Sequence, residues 1–250
     1  MKKLDIRILI YSRNEMKMLP LKKKWCDHHG LKMIYFDNES TDGSREWAIE
    51  EGVFESDIIS NGEFDIVKTM GILESYRNKN DYDYSIVSGV DMFLGGLKGK
   101  TLSQYIQELD SNGYDGLMCS YIMLCRNDDV STLDFRHYTR GLYHEERMTL
   151  IGKSDRALSI DSVNSKKPLQ DIGVWWFNVG NTKTTEERKE TYERRKKAWD
   201  RGMKKAYGVH YKDLVNYNFT MPNIVTKNIY ELGAKESLFE LCDLIDTMRT

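Results

Sequence analysis

Proline is scarce, at 3 in 250 residues, and no apolar run approaches the ~18 residues of a membrane span. The first shortage leaves no proline-rich linker, and the second removes a membrane-spanning helix from consideration. Four cysteines (Cys26, Cys119, Cys125 and Cys242) are too few in a chain of 250 for a disulfide framework. Neither sign of charge dominates: 37 Lys+Arg against 39 Asp+Glu leave a net charge of −2. That balance removes the global electrostatic reason to expect a nucleic-acid or lipid-surface protein, while leaving room for a local basic patch. The opening residues Met1–Asp5 carry no signal-peptide pattern, so a protein of the reducing cytoplasm is expected. There is also no glycine-rich loop after the first strand-like run, which argues against a dinucleotide Rossmann site or a P-loop.

What is present is a chain of 40% apolar residues, enough to bury a sizeable core. Its first half alternates short apolar runs with helical patterns. Ile6–Tyr11, Lys32–Phe36, Asp57–Ser60 and Tyr84–Val87 read as strands, and Ile6–Tyr11 is apolar on both faces, as in a buried parallel strand. Helices are expected over Met16–His29, closed by Gly30, over Arg45–Glu51, closed by Gly52, and over Asp65–Arg77. This repetition predicts βαβ units and a parallel α/β sheet. Beyond it, Leu102–Asp110 reads as a helix, Gly116–Cys125 as a strand, and Val174–Phe177 as an aromatic run; Asn127–Gln170 is polar and turn-rich. A basic helix follows over residues 183–205, opened by a capping box of Thr184 and Glu187, and a last helix over Lys235–Met248.

Ligands of open α/β sheets bind outside the carboxyl ends of the strands. The residues there are Ser12-Arg13-Asn14-Glu15 after the first strand, Asp37-Asn38-Glu39-Ser40-Thr41-Asp42-Gly43-Ser44 after the second, and Ser88-Gly89-Val90-Asp91-Met92-Phe93-Leu94 after the fourth. Carboxylates at strand ends suit nucleobase N–H groups, ribose hydroxyls, or a hard cation that neutralises a diphosphate. The alternative reading of the octet is an ordinary Asx turn and helix N-cap, and that of Asp91 a cap or turn carboxylate.

Arg13-Asn14-Glu15, the octet Asp37–Ser44 and the Asp-Met-Phe-Leu stretch together resemble nucleotide-sugar-dependent glycosyltransferases of family two, over roughly residues 5–100. The resemblance implies a GT-A-like fold: a mostly parallel central sheet flanked by helices, with a C-terminal helical extension. It divides the chain into a catalytic domain over 1–182, whose nucleotide-sugar half is 1–100 and acceptor half 101–182, and an extension over 183–250. It implies transfer of a hexosyl or pentosyl group from a UDP-sugar to a hydroxyl acceptor, whether saccharide, glycolipid or modified nucleic-acid base. On this likeness Tyr11, Ser12, Arg13, Asn14, Glu15, Asp37, Asn38, Ser40, Asp42 and Lys68 would hold the nucleotide-sugar. Asp91 would be the metal-binding or diphosphate-proximal carboxylate, and Asn178, in Phe177-Asn178-Val179-Gly180, the second ligand of Mn²⁺ or Mg²⁺. Two departures weaken a metal motif: Gly89 stands where the family has its first Asp, and Asn178 where it has a histidine.

An inverting transfer needs a positioned carboxylate base, for which Asp161, Asp171, Glu145 and Glu146 are candidates and Asp171 is favoured. Trp175 and Trp176 are either an acceptor-stacking platform or a core strand. His28, His29 and Cys26 lack a second ligand pair and do not make a zinc site. The 183–205 helix, with 10 Lys/Arg and 5 Asp/Glu, is either a solvated face or a polyanion contact. Two other functions fit the same residues: an inactive nucleotide-binding scaffold, and a nucleotidyltransferase.

Overall fold

Alternate residues of the first strand enter two different cores. Ile8 and Ile10 join Trp25, Phe93 and Trp176, whereas Leu9 between them joins Phe36, Leu73 and Val87. A strand apolar on both faces has to lie in the middle of a covered sheet, and this one does. The protein is described by a computed structural model over residues 3–63, 65–125, 140–155, 158–159, 162–163, 165–179, 190, 193–194, 196–197, 227–229 and 231–249. Its elements run β1 (Ile6–Ser12), α1 (Leu19–His28), β2 (Lys32–Asp37), α2 (Ser44–Glu50), β3 (Phe54–Asp57), α3 (Ile66–Lys79), β4 (Tyr84–Ser88) and β5 (Met92–Gly95). They continue through α4 (Leu102–Ser111), β6 (Gly116–Cys125), β7 (Arg140–Lys153), β8 (Leu158–Ser159), β9 (Ser162–Val163), β10 (Pro168–Asn178), β11 (Lys227–Asn228) and α5 (Lys235–Arg249).

The main sheet has the order β3-β2-β1-β4-β7-β6-β10-β5, with β11 on β7. Its first four strands are parallel, as the βαβ pattern predicts. Past β4 the sheet turns mixed: β7 is antiparallel to both β4 and β6, β10 is parallel to β6, and β5 is antiparallel to β10. Helices α1, α4 and α5 supply Trp25, Ile106 and Leu241 to one face, and α3 supplies Leu73 to the other. The chain is thus an α/β sheet flanked by helices, parallel in the half that carries the strand-end motifs and mixed elsewhere.

Three departures from the sequence pattern have physical causes. The third strand is Phe54–Asp57, not Asp57–Ser60. The Ile58-Ile59 pair that suggested it lies past the strand end, with Ile58 buried and Ile59 53% exposed. Strand β5 occupies what reads as loop after β4, because Gly95 and Gly96 let the backbone pass against Ser237 at the start of α5 and against Gly173 of β10, where a Cβ would collide. Strand β7 carries Glu145, Glu146 and Arg147, poor strand formers in isolation, at an irregularity of its ladder with β6 that is flanked by the pairs His144–Tyr121 and Met148–Cys119. The extension ends as expected in α5, which packs on α1, β5 and β10; Lys24 Nζ donates to the Met248 carbonyl at 2.5 Å. The 183–205 helix is described at 190, 193–194 and 196–197, all helical; its other positions, with Asp161 and Gly180, lie outside the described residues. No helix among the described residues is long and apolar enough to cross a membrane.

Trp175 and Trp176 belong to the core strand β10, at 4% and 0% exposure, so an acceptor-stacking role is not open to them in this arrangement. The Trp176 ring lies 6.5 Å from that of Trp25. Trp176→Ala is expected to cost about 3–5 kcal/mol in urea unfolding, the loss typical of a truncated core aromatic. A cost near zero would mean that the ring is not in the core.

Candidate functional site

Register places the strand-end motifs side by side. Ser12 pairs with Asp37 and Ile10 with Ser88, so residues 13–15, 38–44 and 89–91 leave the sheet together at one edge. At that edge the first two loops are tied to each other. Asn14, held at φ 53°, donates its N–H to Ser40 Oγ (3.0 Å) and accepts the Thr41 N–H on Oδ1 (2.7 Å). The Glu15 N–H reaches Ser44 Oγ at 3.1 Å, and the Met16 N–H reaches Asp42 Oδ2 at 2.9 Å. Asp42 Oδ1 also accepts the Ser44 N–H at 3.0 Å, closing the turn into α2. Asp37 sits beneath, fully buried, accepting from Tyr35 Oη (3.0 Å) and the Ser40 N–H (2.8 Å).

Several expected ligand contacts are therefore framework. Asp37 and Asn38 are 0% and 1% exposed and cannot reach a base or ribose as they stand. Asn38 Oδ1 is taken by Ser60 Oγ (2.8 Å) and Arg194 (3.0 Å). Glu15 is buried as well, and Lys68 Nζ, on an exposed side chain, bonds the Ile59 carbonyl. Half-buried at the rim, and so able to meet a ligand, are Tyr11, Ser12, Arg13, Asn14 and Ser40, with Asp42 exposed beside them.

Sequence reasoning missed a charged cluster here. Glu39, at φ 58°, accepts from Ser60 Oγ (3.0 Å) and from the N–H groups of Asn61 and Gly62 (both 2.9 Å). Burial alone would raise its carboxyl, but these bonds outweigh it and hold the group below the usual carboxylate range. Arg13 lies 3.8 Å from Glu39 and 2.9 Å from Glu190, and buried Arg194 donates to the Glu63 carbonyl at 2.8 Å. The helical positions 190 and 194 thus meet the strand-end loops through Glu190 and Arg194, and the Arg194–Asn38 contact spans 156 residues, beyond any spacing rule.

The β4–β5 turn carries Asp91. Its carbonyl accepts the Val179 N–H at 2.8 Å, and Asn178 pairs with Met92, so the two residues expected to bind a metal do come together. A Cβ at Gly89 would stand 2.5 Å from Asp91 Oδ1, so the carboxylate already fills the space into which a second acid at 89 would project. One carboxylate and one neutral amide remain, and the described residues hold no group of 3 or more His, Cys, Asp or Glu side chains able to bind an ion. These residues do not fit a resident divalent cation.

Beneath the turn lies Lys22, 0% exposed. Its ammonium donates to Ser88 Oγ at 3.2 Å and to the Met92 carbonyl, with the ring centroids of Trp25 and Phe93 at 4.6 and 4.8 Å. The available signal was positional: Lys22 shares its helix face with Leu19, Trp25 and Cys26, all buried.

Asp171 is not at this edge. Its β6 partner Cys119 lies four residues from Met123, the partner of Asn178, so Asp171 and Asn178 are separated by roughly 13 Å along the sheet at ~3.3 Å per residue. Its oxygens accept from Tyr105 Oη (2.6 Å) and the Gly173 N–H (2.8 Å), at the irregularity between Asp171 and Trp175. These bonds give Asp171 a structural task at that irregularity. Glu145 and Glu146 lie on β7, their side chains outside the described residues.

Asp37→Ala is expected to destabilise the fold by about 1–3 kcal/mol, since it orphans the Ser40 N–H and leaves the buried Tyr35 phenol with Ser12 Oγ alone; urea titration reads this. Glu39 adds stability that is complete above the unfolded carboxylate value of about 4.3 and fades as pH falls through its lower folded value. Glu39→Gln should therefore flatten the fall in stability below about pH 4.3, measured by thermal melts against pH.

No family model matches the chain, and no curated protein matches it. Solved structures overlap it in part. TarS 1-349 of S. aureus gives a TM-score of 0.44 at 10% identity over 76% of this chain. The overlap spans 63% of that TarS fragment's length, and the fragment has also been solved in complex with UDP and with UDP-GlcNAc. HddC from Yersinia pseudotuberculosis gives 0.39 at 13% identity, covering 78% of this chain and 99% of that one. A protein from Desulfovibrio desulfuricans G20 described as a nucleotide-diphospho-sugar transferase gives 0.40 at 10%, covering 84% and 93%.

Proposed function

We propose that the chain is a nucleotide-sugar-dependent glycosyltransferase whose donor lies across the carboxyl ends of β1, β2 and β4. The observation that carries this reading is the convergence of three polar loops at one sheet edge, two of them cross-linked into a rigid rim. Rigid, preorganised polar groups at such an edge suit a nucleotide, whose orientation must be fixed before its sugar can react. Tyr11, Ser12, Arg13, Asn14 and Ser40 offer hydroxyl, amide and guanidinium groups to the nucleoside, and Asp91 faces the diphosphate end. Asp37, Asn38 and Asp42 serve by holding that rim in shape. Chemically, an acceptor hydroxyl attacks the anomeric carbon, its proton passes to a base, and the bond from that carbon to the diphosphate oxygen breaks. UDP is the expected leaving nucleotide, and the likeness of the octet to family-two sequences supports it.

A second reading, an inactive nucleotide-binding protein, draws support from Gly89 and from the structural use of Asp171. The test that separates them starts with calorimetric titration of UDP, followed by a screen of UDP-sugars for hydrolysis or transfer. The expected result is UDP binding, turnover with release of UDP, and loss of that turnover in Asp91→Ala with UDP still bound. Binding without turnover of any donor supports the scaffold, release of inorganic diphosphate when UTP and a sugar phosphate are supplied instead supports a nucleotidyltransferase, and no UDP binding removes the nucleotide reading.

A further inference from the structure

A lysine that is fully buried without a paired anion is costly, because its charge gives up water for an apolar surround. Lys22 has this placement. Among the described residues its ammonium is met by a hydroxyl, a carbonyl and two aromatic faces, and by no carboxylate at ion-pair distance. The two polar partners are informative. Ser88 is the last residue of β4 and Met92 the first of β5, so the ammonium pins both ends of the turn that presents Asp91. Within that turn Ser88 Oγ donates to the Gly89 carbonyl at 2.8 Å and the Met92 N–H reaches the same carbonyl at 3.3 Å. The turn therefore keeps internal bonds that do not depend on Lys22.

We infer that Lys22 is the fixed cation of the donor site, acting through the Ser88–Met92 turn to balance the diphosphate, so that donor binding does not depend on a divalent metal. This rests on the nucleotide-sugar reading above. Lys22 is a positioning residue: it touches the turn, and its field reaches the ligand through a region of low dielectric where charges are poorly screened. The metal expected at Asp91 and Asn178 and the buried ammonium are alternative answers to one requirement, the neutralising of diphosphate charge at a strand edge. Gly89 removes a carboxylate from the metal's side of that choice, and Lys22 adds a cation on the other.

The charge state agrees with the geometry. Burial lowers Lys22 to about 8, against the favourable charges of Cys26 and Asp91. Cys26 is itself pushed up to about 12 by burial and stays neutral near pH 7.

The test compares uridine, UDP and UDP with EDTA or Mn²⁺ on the wild-type chain and on two variants, by calorimetry, with a thermal melt of each. Lys22→Met fills the aromatic cage without charge, and Lys22→Gln keeps a donor for the turn without charge. The expected outcome is a wild-type UDP affinity unchanged within about twofold by metal. Both variants should weaken UDP by about tenfold and leave uridine as it was. Their melting temperatures should stay level or rise, since removing a buried charge relieves its desolvation. A tenfold gain in UDP affinity with Mn²⁺, or folded variants that bind UDP like wild type, overturns the inference and leaves the nucleotide reading standing. Failure of both uridine and UDP to bind the wild type overturns both.

Discussion

Where parallel strands end, their backbone N–H groups lose their ladder partners and have to find others, and this constraint shapes the whole candidate site. The N–H groups of Asn14, Glu15 and Met16, just past β1, are met by Ser40, Ser44 and Asp42 from the loop past β2. The octet is thus first a set of acceptors for a neighbouring loop. Its effect on function is indirect but strong, because a rim cross-linked in this way cannot adjust to a ligand and must already have the right shape. The half-buried residues that the rim holds in place are more exposed to a ligand than its buried carboxylate Asp37.

The same constraint recurs with buried polar side chains. His29 is pushed down to about 3, chiefly by burial and then by its neighbours His28 and Lys22, so it stays neutral. Its Nδ1 accepts the Leu102 N–H at 3.1 Å, joining the end of α1 to the start of α4. A histidine beside a cysteine is here a helix-to-helix connector and not a zinc ligand. Lys22, about two turns earlier on α1, does the comparable task for the β4–β5 turn, with the difference that it carries charge. Helix α1 therefore supports two neighbouring elements through buried polar contacts.

Charge also decides how the C-terminal segment meets the sheet edge. Glu39 gathers three hydrogen bonds from 60–62 and lies near two guanidinium groups, Arg13 and Arg194. Glu190 pairs with Arg13 in turn. The basic helix expected to be either a solvated face or a polyanion contact thus spends at least Arg194 on binding its own chain.

Local pattern was enough for the parallel half. Strands apolar on both faces, glycines closing helices at Gly30 and Gly52, and polar residues after each strand determined β1, β2, β4, their helices and the edge at which a ligand would lie, because periodicity and capping act over a few residues. The likeness to a known family also put Asp91 and Asn178 in one group, and the structure sets the Asp91 carbonyl against Val179 and Asn178 opposite Met92. Only the tertiary structure decided the rest. It turned Ile58-Ile59 from a strand into its sequel, made a strand of Glu145, Glu146 and Arg147, and put Trp175 and Trp176 in the core. It also kept Asp171 from the strand edge, buried Asp37, and brought Lys22 beneath Asp91 and Arg194 onto Asn38. Each of these depends on burial or on a partner distant in the chain, and burial is a property of the assembled sheet that no window of neighbouring residues contains.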